Sequence, residues 1–244
     1  MKKLLKNSLK KLGIYDPYLK FKFKYLTPRG IGHWEPLIPE KEFYSSVKLA
    51  IEKLLENETD DSLGSYLEFG VSRGTSMSSV FHVLKELKLD QVQLIGFDSF
   101  EGMPEGSEKE GWATGQYHST ITATTKYLID RKVDMARVHL VKGWFSDTLF
   151  EKAKKDLNIT KASIIMVDCD IYSASKTALN FCFPLIKDHA ILIFDDWGWT
   201  EDAGIVGQKE AFDEILQQYP YFSTTPLLNY LPQSRVFLIS RKIK

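Results

Sequence analysis

An α/β architecture, a mostly parallel sheet with helices on both faces, is predicted by three features of this 244-residue chain. From residue 65 onward, apolar runs of strand length alternate with longer segments of helical period. Two of the runs, SIIMVD (163–168) and AILIFD (190–195), lack period-two alternation, which is how strands buried on both faces read. Both stop on acid, at Asp168 with Asp170 and at Asp195 with Asp196. Ligands in open α/β sheets bind beyond the carboxyl ends of the strands, so these acids mark the candidate site.

In chain order, MKKLLKNSLKKLG (1–13) places Leu5, Leu9 and Leu12 on one helical face among lysines, a short basic amphipathic helix. Packing on the domain or on a second copy is one reading, and docking on a membrane surface is the other. Phe21, Phe23 and Tyr25 alternate with lysines, as an edge strand or an aromatic contact surface would. After Pro28, Gly30, Gly32, Pro36 and Pro39, the spacing of Phe43, Val47, Ala50, Ile51 and Leu54 predicts a helix over 40–56. Strands are expected at 66–71, 93–98, 138–142, 163–168 and 190–195, with helices at 76–88, 124–131, 148–156, 173–187 and 208–219. Segments 222–227 and 235–241 have no helix between them and read as an antiparallel pair at one edge, giving seven strands. The chain divides into an N-terminal helical extension, 1–64, and a sheet domain, 65–244.

Composition narrows the function. Thirty-two basic residues balance 32 acidic ones, so no net field favours nucleic acid. Two cysteines, Cys169 in an expected core strand and Cys182 on a helix face, are too few for a disulfide framework and read as small buried groups. No apolar run reaches membrane-spanning length, and residues 1–13 lack the pattern of a secretory signal. A cytoplasmic protein is expected, peripheral at the inner face of the membrane if the basic helix docks there.

The first strand leaves through LEFGVSRGTS, where Gly70 and Gly74 allow close backbone approach and Thr75 and Ser76 can open a helix. The spacing lacks the GxGxxG that cradles a pyrophosphate, which disfavours a nicotinamide oxidoreductase. Glu68 fits a carboxylate at the pocket floor or a satisfied structural acid. Asp98, at the tip of the second strand, can accept two hydrogen bonds from ribose hydroxyls or form a turn. Gly143, Trp144 and Phe145 could wall an adenine. Asp168, Asp195 and Asp196 on neighbouring strand ends would repel one another, and a hard divalent cation such as Mg2+ is the simplest way to hold them ionised together. Residues 101–122 form a long connection in which Trp112, Tyr117 and His118 could meet an acceptor. A loop without fixed structure fits the same composition.

YLEFGVSRGTS, GFDSFEGMP, VKGWFSDTL, MVDCDIYSAS and IFDDW, in this order and spacing, resemble the macrocin and mycinamicin sugar O-methyltransferase family over roughly residues 66–216. The resemblance implies a Rossmann-like class I methyltransferase core using S-adenosyl-L-methionine and a divalent metal to methylate a sugar hydroxyl. Asp168, Asp195 and Asp196 then match the metal-binding acids. The cofactor motifs cover Glu68, Gly70, Ser72, Gly74, Thr75, Ser76, Asp98, Ser99, Gly143, Trp144, Phe145 and Asp168. Asp168, Asp170 or His118 is expected to handle the proton, although Asp170 could equally cap the next helix. A sugar-containing acceptor and a homo-oligomer are expected. The alternatives are an inactive scaffold in a glycan-assembly complex and an O-methyltransferase acting on a phenolic or catechol-like molecule.

Overall fold

The structure, a computed structural model, describes residues 38–198 and 206–242, and ahead of them positions 13, 14, 17, 18, 21, 25 and 36. The expected amphipathic helix at 1–13 lies outside the described residues apart from Gly13, as do Phe23 and His33. Phe21 is helical, contrary to the edge-strand alternative, and its ring lies 5.3 Å from that of Tyr25. No described helix is long and apolar enough to cross a membrane.

The strands are β1 (Ser65–Phe69), β2 (Leu94–Asp98), β3 (Val138–Lys142), β4 (Ala162–Val167), β5 (His189–Phe194), β6 (Phe222–Pro226) and β7 (Arg235–Arg241). They form one seven-stranded sheet in the order β3-β2-β1-β4-β5-β7-β6. All pairs are parallel except those of β7, which runs antiparallel to both β5 and β6. The expected antiparallel edge pair is therefore present, and β4, buried at every position, is the central strand. The order reverses direction between β1 and β4, which opens a crevice at their carboxyl ends.

From residue 38 onward, the described α-helices are α1 (Glu40–Leu55), α2 (Thr75–Glu86), α3 (Ile121–Asp130), α4 (Phe145–Thr148), α5 (Glu151–Asp156), α6 (Tyr172–Cys182) and α7 (Gln208–Gln218). On one sheet face, Tyr66, Ile164, Met166 and Ile193 pack with Phe43, Val47, Ile51 and Leu54 of α1 and Val80 and Leu84 of α2. The opposite face packs Leu67, Phe69, Phe97, Ile165 and Val167 against Leu179 and Phe181 of α6 and Phe212 and Ile215 of α7. Full burial of one such side chain stabilises by about 1.5–3 kcal/mol. Helix α1 shares a core with the sheet, so residue 64 marks where the sheet begins rather than a break in packing.

Most boundaries differ from the sequence expectation by one to three residues, and three differences have a local cause. β1 ends at Phe69 because Gly70 takes φ +95, which no strand residue adopts. The helix expected at 148–156 is two short pieces, since Leu149 and Phe150 leave helical geometry at the cap positions. The helix expected at 173–187 closes at Cys182 and continues as a 3-10 turn, Phe183–Leu185, because Pro184 offers no amide hydrogen to the ladder.

Candidate active site

The β1–α2 turn is pressed against the end of β4. A side chain at Gly70 would place its Cβ 1.7 Å from the carbonyl oxygen of Asp168. The strand ends are tied there, with Asp168 N–H donating to Phe69 O at 2.9 Å and Gly70 N–H to Phe97 O at 2.9 Å. The turn next passes Ser72 at φ +45 and Gly74 at φ +89 before α2 begins. Asp98, at the tip of β2, holds this turn: its Oδ2 accepts the amides of Val71 at 2.8 Å and Ser72 at 2.7 Å, and its Oδ1 accepts that of Phe100 at 2.5 Å. A carboxylate offers about four acceptor directions. Three serve the protein, and the remaining one can take a single ribose hydroxyl, where the sequence led us to expect two.

Glu68 is corrected more strongly. It is fully buried, accepts the Tyr66 hydroxyl at 2.8 Å and that of Ser76, and does not line the cavity. Burial pushes its carboxyl up to about 8, against the opposing hydrogen bonds from Ser76 and Tyr66. It is therefore mostly neutral near pH 7 and fixes the start of α2 rather than facing a cationic ligand.

Beyond β4 and β5 the acids converge. One oxygen from each of Asp168, Asp195 and Asp196 lies within 4.8 Å of the others. Asp170 joins them from a tight turn, with φ +60 and a 2.6 Å hydrogen bond from Ile171 N–H to Cys169 O. Burial, then repulsion from Asp195, Asp196 and Asp170, holds the Asp168 carboxyl well above the usual range. Burial, then Asp170 and Asp195, does the same to Asp196. Asp170 is pushed up to about 7 by burial, Asp195 and Asp98. Asp196 Oδ2 is buried and meets no hydrogen-bond partner. An all-carboxylate donor set with a buried, unpartnered oxygen suits a hard divalent cation, so the residues fit the metal that the sequence implied.

These acids and the buried Glu68 make the stability of the metal-free protein depend on pH. Acids held above their unfolded values, about 4, contribute their full stability below that pH and lose it as pH rises through the folded values. For Asp170 and Glu68 the loss runs up to about 7 and about 8. The cluster is expected to lower the melting temperature of the metal-free protein between about pH 5 and 8.5, and added Mg2+ to raise it more at the upper end. An Asp170→Asn variant should flatten the profile. Equal pH profiles for the two proteins in calorimetry would contradict this.

A cavity of about 620 Å³ runs from the β1–α2 turn to the acids. It is lined by Gly70, Ser72, Thr75, Ser76, Asp98, Ser99, Trp144, Phe145, Asp168, Asp170, Asp195 and Asp196 among the expected residues. Gly74 and Gly143 shape the neighbouring turns without lining it. The connection over 101–122 is ordered: a 3-10 turn (Ser107–Glu110) precedes Trp112, which packs with Met103 and Ile171. Ser72 Oγ donates to Tyr117 O at 3.0 Å, and Glu110 accepts the amide of Tyr172 at 3.1 Å. Trp112 and Tyr117 line the cavity, but His118 does not.

The model of the macrocin O-methyltransferase family matches residues 44–213, most of the chain. The chain belongs to that family. It is an S-adenosylmethionine-dependent O-methyltransferase. None of the curated proteins matches its sequence. Among solved structures, the O-methyltransferase NovP superposes with a TM-score of 0.67 at 18% identity, covering 83% of this chain and 80% of that one. The calicheamicin methyltransferase CalS11 gives 0.58 at 18%, covering 88% and 96%. A Bacillus cereus O-methyltransferase in complex with SAH gives 0.58 at 14%, covering 84% and 83%. At these identities the likeness concerns the fold.

Several residues of the methyltransferase's site escaped the sequence reading. Cys169, expected within the core strand, lies past the end of β4 and lines the cavity, its sulfur 3.5 Å from Ser175 Oγ. Arg73, Leu231 and Gln233 also line it. Gln208, fully buried at the start of α7, accepts the Asp196 amide at 3.1 Å and donates to Val167 O at 3.2 Å, clamping the two acid-bearing strand ends together. Tyr230, between β6 and β7, donates its hydroxyl to Asp195. The positions of Gln208 and Tyr230 carry no motif, and only the fold brings them to the acids.

Proposed function

We propose that this methyltransferase moves the methyl group of S-adenosylmethionine to a hydroxyl of a sugar, with a divalent cation. The observation that carries the reading is the convergence of four carboxylates in one cavity that the Gly70–Asp98 turn also lines. In-line displacement at a sulfonium methyl needs an oxygen nucleophile held close to the carbon and relieved of its proton. Trp144 and Phe145 wall the adenine, and Asp98 takes one ribose hydroxyl. Asp168, Asp195 and Asp196 hold the cation, which when bound supplies Lewis acidity that lowers the pKa of an acceptor hydroxyl. Asp170, beside these acids and lining the cavity, is the carboxylate placed to accept the proton. Trp112 and Tyr117 offer aromatic surface to the sugar ring, and the family match supports a sugar over a phenol.

The test is transfer of labelled methyl from S-adenosylmethionine to glycosides bearing vicinal hydroxyls and, in parallel, to catechols. Methylated glycoside in Mg2+ and less than about 1% of that rate in EDTA is the expected result, a loss of about 3 kcal/mol of transition-state stabilisation. Full activity in EDTA overturns the cation, and turnover of catechols alone moves the acceptor to phenols.

A further inference from the structure

The turn between β6 and β7 delivers one side chain to the acids from far along the chain. Tyr230 is 6% exposed, and its hydroxyl donates to Oδ1 of Asp195. Its ring stands edge-on to Phe43 of α1, with centroids 4.8 Å apart and planes at 89°. The turn carries its own wiring. Ser234 Oγ, on a fully buried residue, accepts the amides of Tyr230 at 3.2 Å and Leu231 at 2.9 Å and donates to Leu231 O at 3.0 Å. Asn229 Oδ1 accepts the Val236 amide at 3.2 Å, and Ser46 of α1 donates its hydroxyl to Leu228 O.

We propose that Tyr230 is a positioning residue for Asp195, the donor that decides which carboxylate oxygen faces the cation. The inference rests on reading Asp168, Asp195 and Asp196 as the cation's holders. The terminal torsion of an aspartate is broad and nearly two-fold, so the side chain alone does not choose between its oxygens. A phenol fixed by α1 and by the Ser234 turn engages Oδ1 and leaves Oδ2 for the ion. Ligating carboxylates are commonly oriented by such outer partners, whose loss costs about 10- to 100-fold in metal affinity or activity. The arrangement also gives the antiparallel edge of the sheet a task in the site, which strands β1 to β5 alone do not explain.

Tyr230→Phe tests this, because it keeps the ring against Phe43 and removes one oxygen. Mn2+ binding to the full chain would be followed by the loss of free-ion paramagnetic signal, beside the melting temperature of the metal-free protein and the KM for S-adenosylmethionine. Mn2+ affinity is expected to fall about 10-fold or more, with KM for the cofactor unchanged and metal-free melting within a few degrees of wild type. Ser234→Ala, which loosens the turn but keeps the phenol, should give a smaller loss of affinity. A purely structural hydroxyl would do the reverse, and equal Mn2+ affinity in wild type and Tyr230→Phe overturns the proposal. Wild-type protein that binds no Mn2+ would remove the cation reading itself and this inference with it, an outcome distinct from equal binding by both.

Discussion

Replacing Asp196 by asparagine is expected to lower kcat by about 10³-fold while making the metal-free protein more stable. The activity loss corresponds to about 4 kcal/mol of transition-state stabilisation, the scale that a bound cation supplies to a developing charge. The stability gain comes from the same residue. Asp196 is buried, its Oδ2 has no partner, and burial with the charges of Asp170 and Asp195 opposes its ionisation. An asparagine of nearly equal shape removes the charge and offers donors to the neighbouring acids. S-adenosylmethionine affinity should largely survive, since Asp196 is not among the residues that build the Gly70–Asp98 turn, whose amides are held by Asp98. The check is kcat and cofactor affinity in Mg2+, with melting in EDTA. Unchanged kcat would refute the role of Asp196, and a lower metal-free melting temperature would refute the electrostatic account.

Gly70→Ala is expected to lower the melting temperature by about 10–20 °C or to prevent folding altogether. Its φ of +95 already excludes most side chains, and a Cβ there would stand 1.7 Å from the Asp168 carbonyl oxygen and 2.6 Å from its carbon. Both obstacles are backbone, so relief requires β1 and β4 to part where they are centrally paired. Left-handed backbone for a non-glycine residue costs about 1–3 kcal/mol, and the overlap adds several more, against a total stability of about 5–15 kcal/mol. At about 2–4 °C per kcal/mol for a chain of this size, a loss near 5 kcal/mol gives the stated shift. Gly106 is the control: its φ is +89 with nothing within 4 Å of an added Cβ, so alanine there should cost only about 1–3 kcal/mol. Equal melting of the two variants would show that the close approach at Gly70 contributes nothing.

The sheet was readable in the sequence because its cause is local. Apolar runs at 163–168 and 190–195 could only be central strands, and acids at their ends could only face the crevice that a parallel sheet opens. The metal candidates followed from adjacency of strands, which β4 and β5 obey. What escaped depended on which donor reaches which acceptor across turns. Glu68 looked like a cavity acid because its partners, Tyr66 two residues earlier and Ser76 on α2, are revealed only when the strand meets the helix. Asp98 carries the ribose signature, yet nothing in its neighbours' identities shows that two amides of the β1–α2 turn point at it. Tyr230 and Gln208 come from segments with no pattern of their own, and His118 sits on a loop whose course composition leaves open.

The cavity joins two constructions of different character, and their separation bears on how acceptor preference can change. Chemistry depends on strand ends locked by Gly70, Gln208 and the ladder between β4 and β5. One wall of the cavity comes from the connection carrying Met103, Trp112 and Tyr117, which rests on Ile171 and is pinned at Glu110 and Ser72. On the proposed reading, exchanging residues 103–117 for a differently shaped loop is expected to change which acceptors are methylated. Such a graft must bring its own carboxylate to the Tyr172 amide, because α6 begins there and carries Ala174, which packs against the same loop. The β6–β7 turn is less exchangeable, for it supplies both the Tyr230 hydroxyl that Asp195 accepts and Leu231 and Gln233 of the cavity wall.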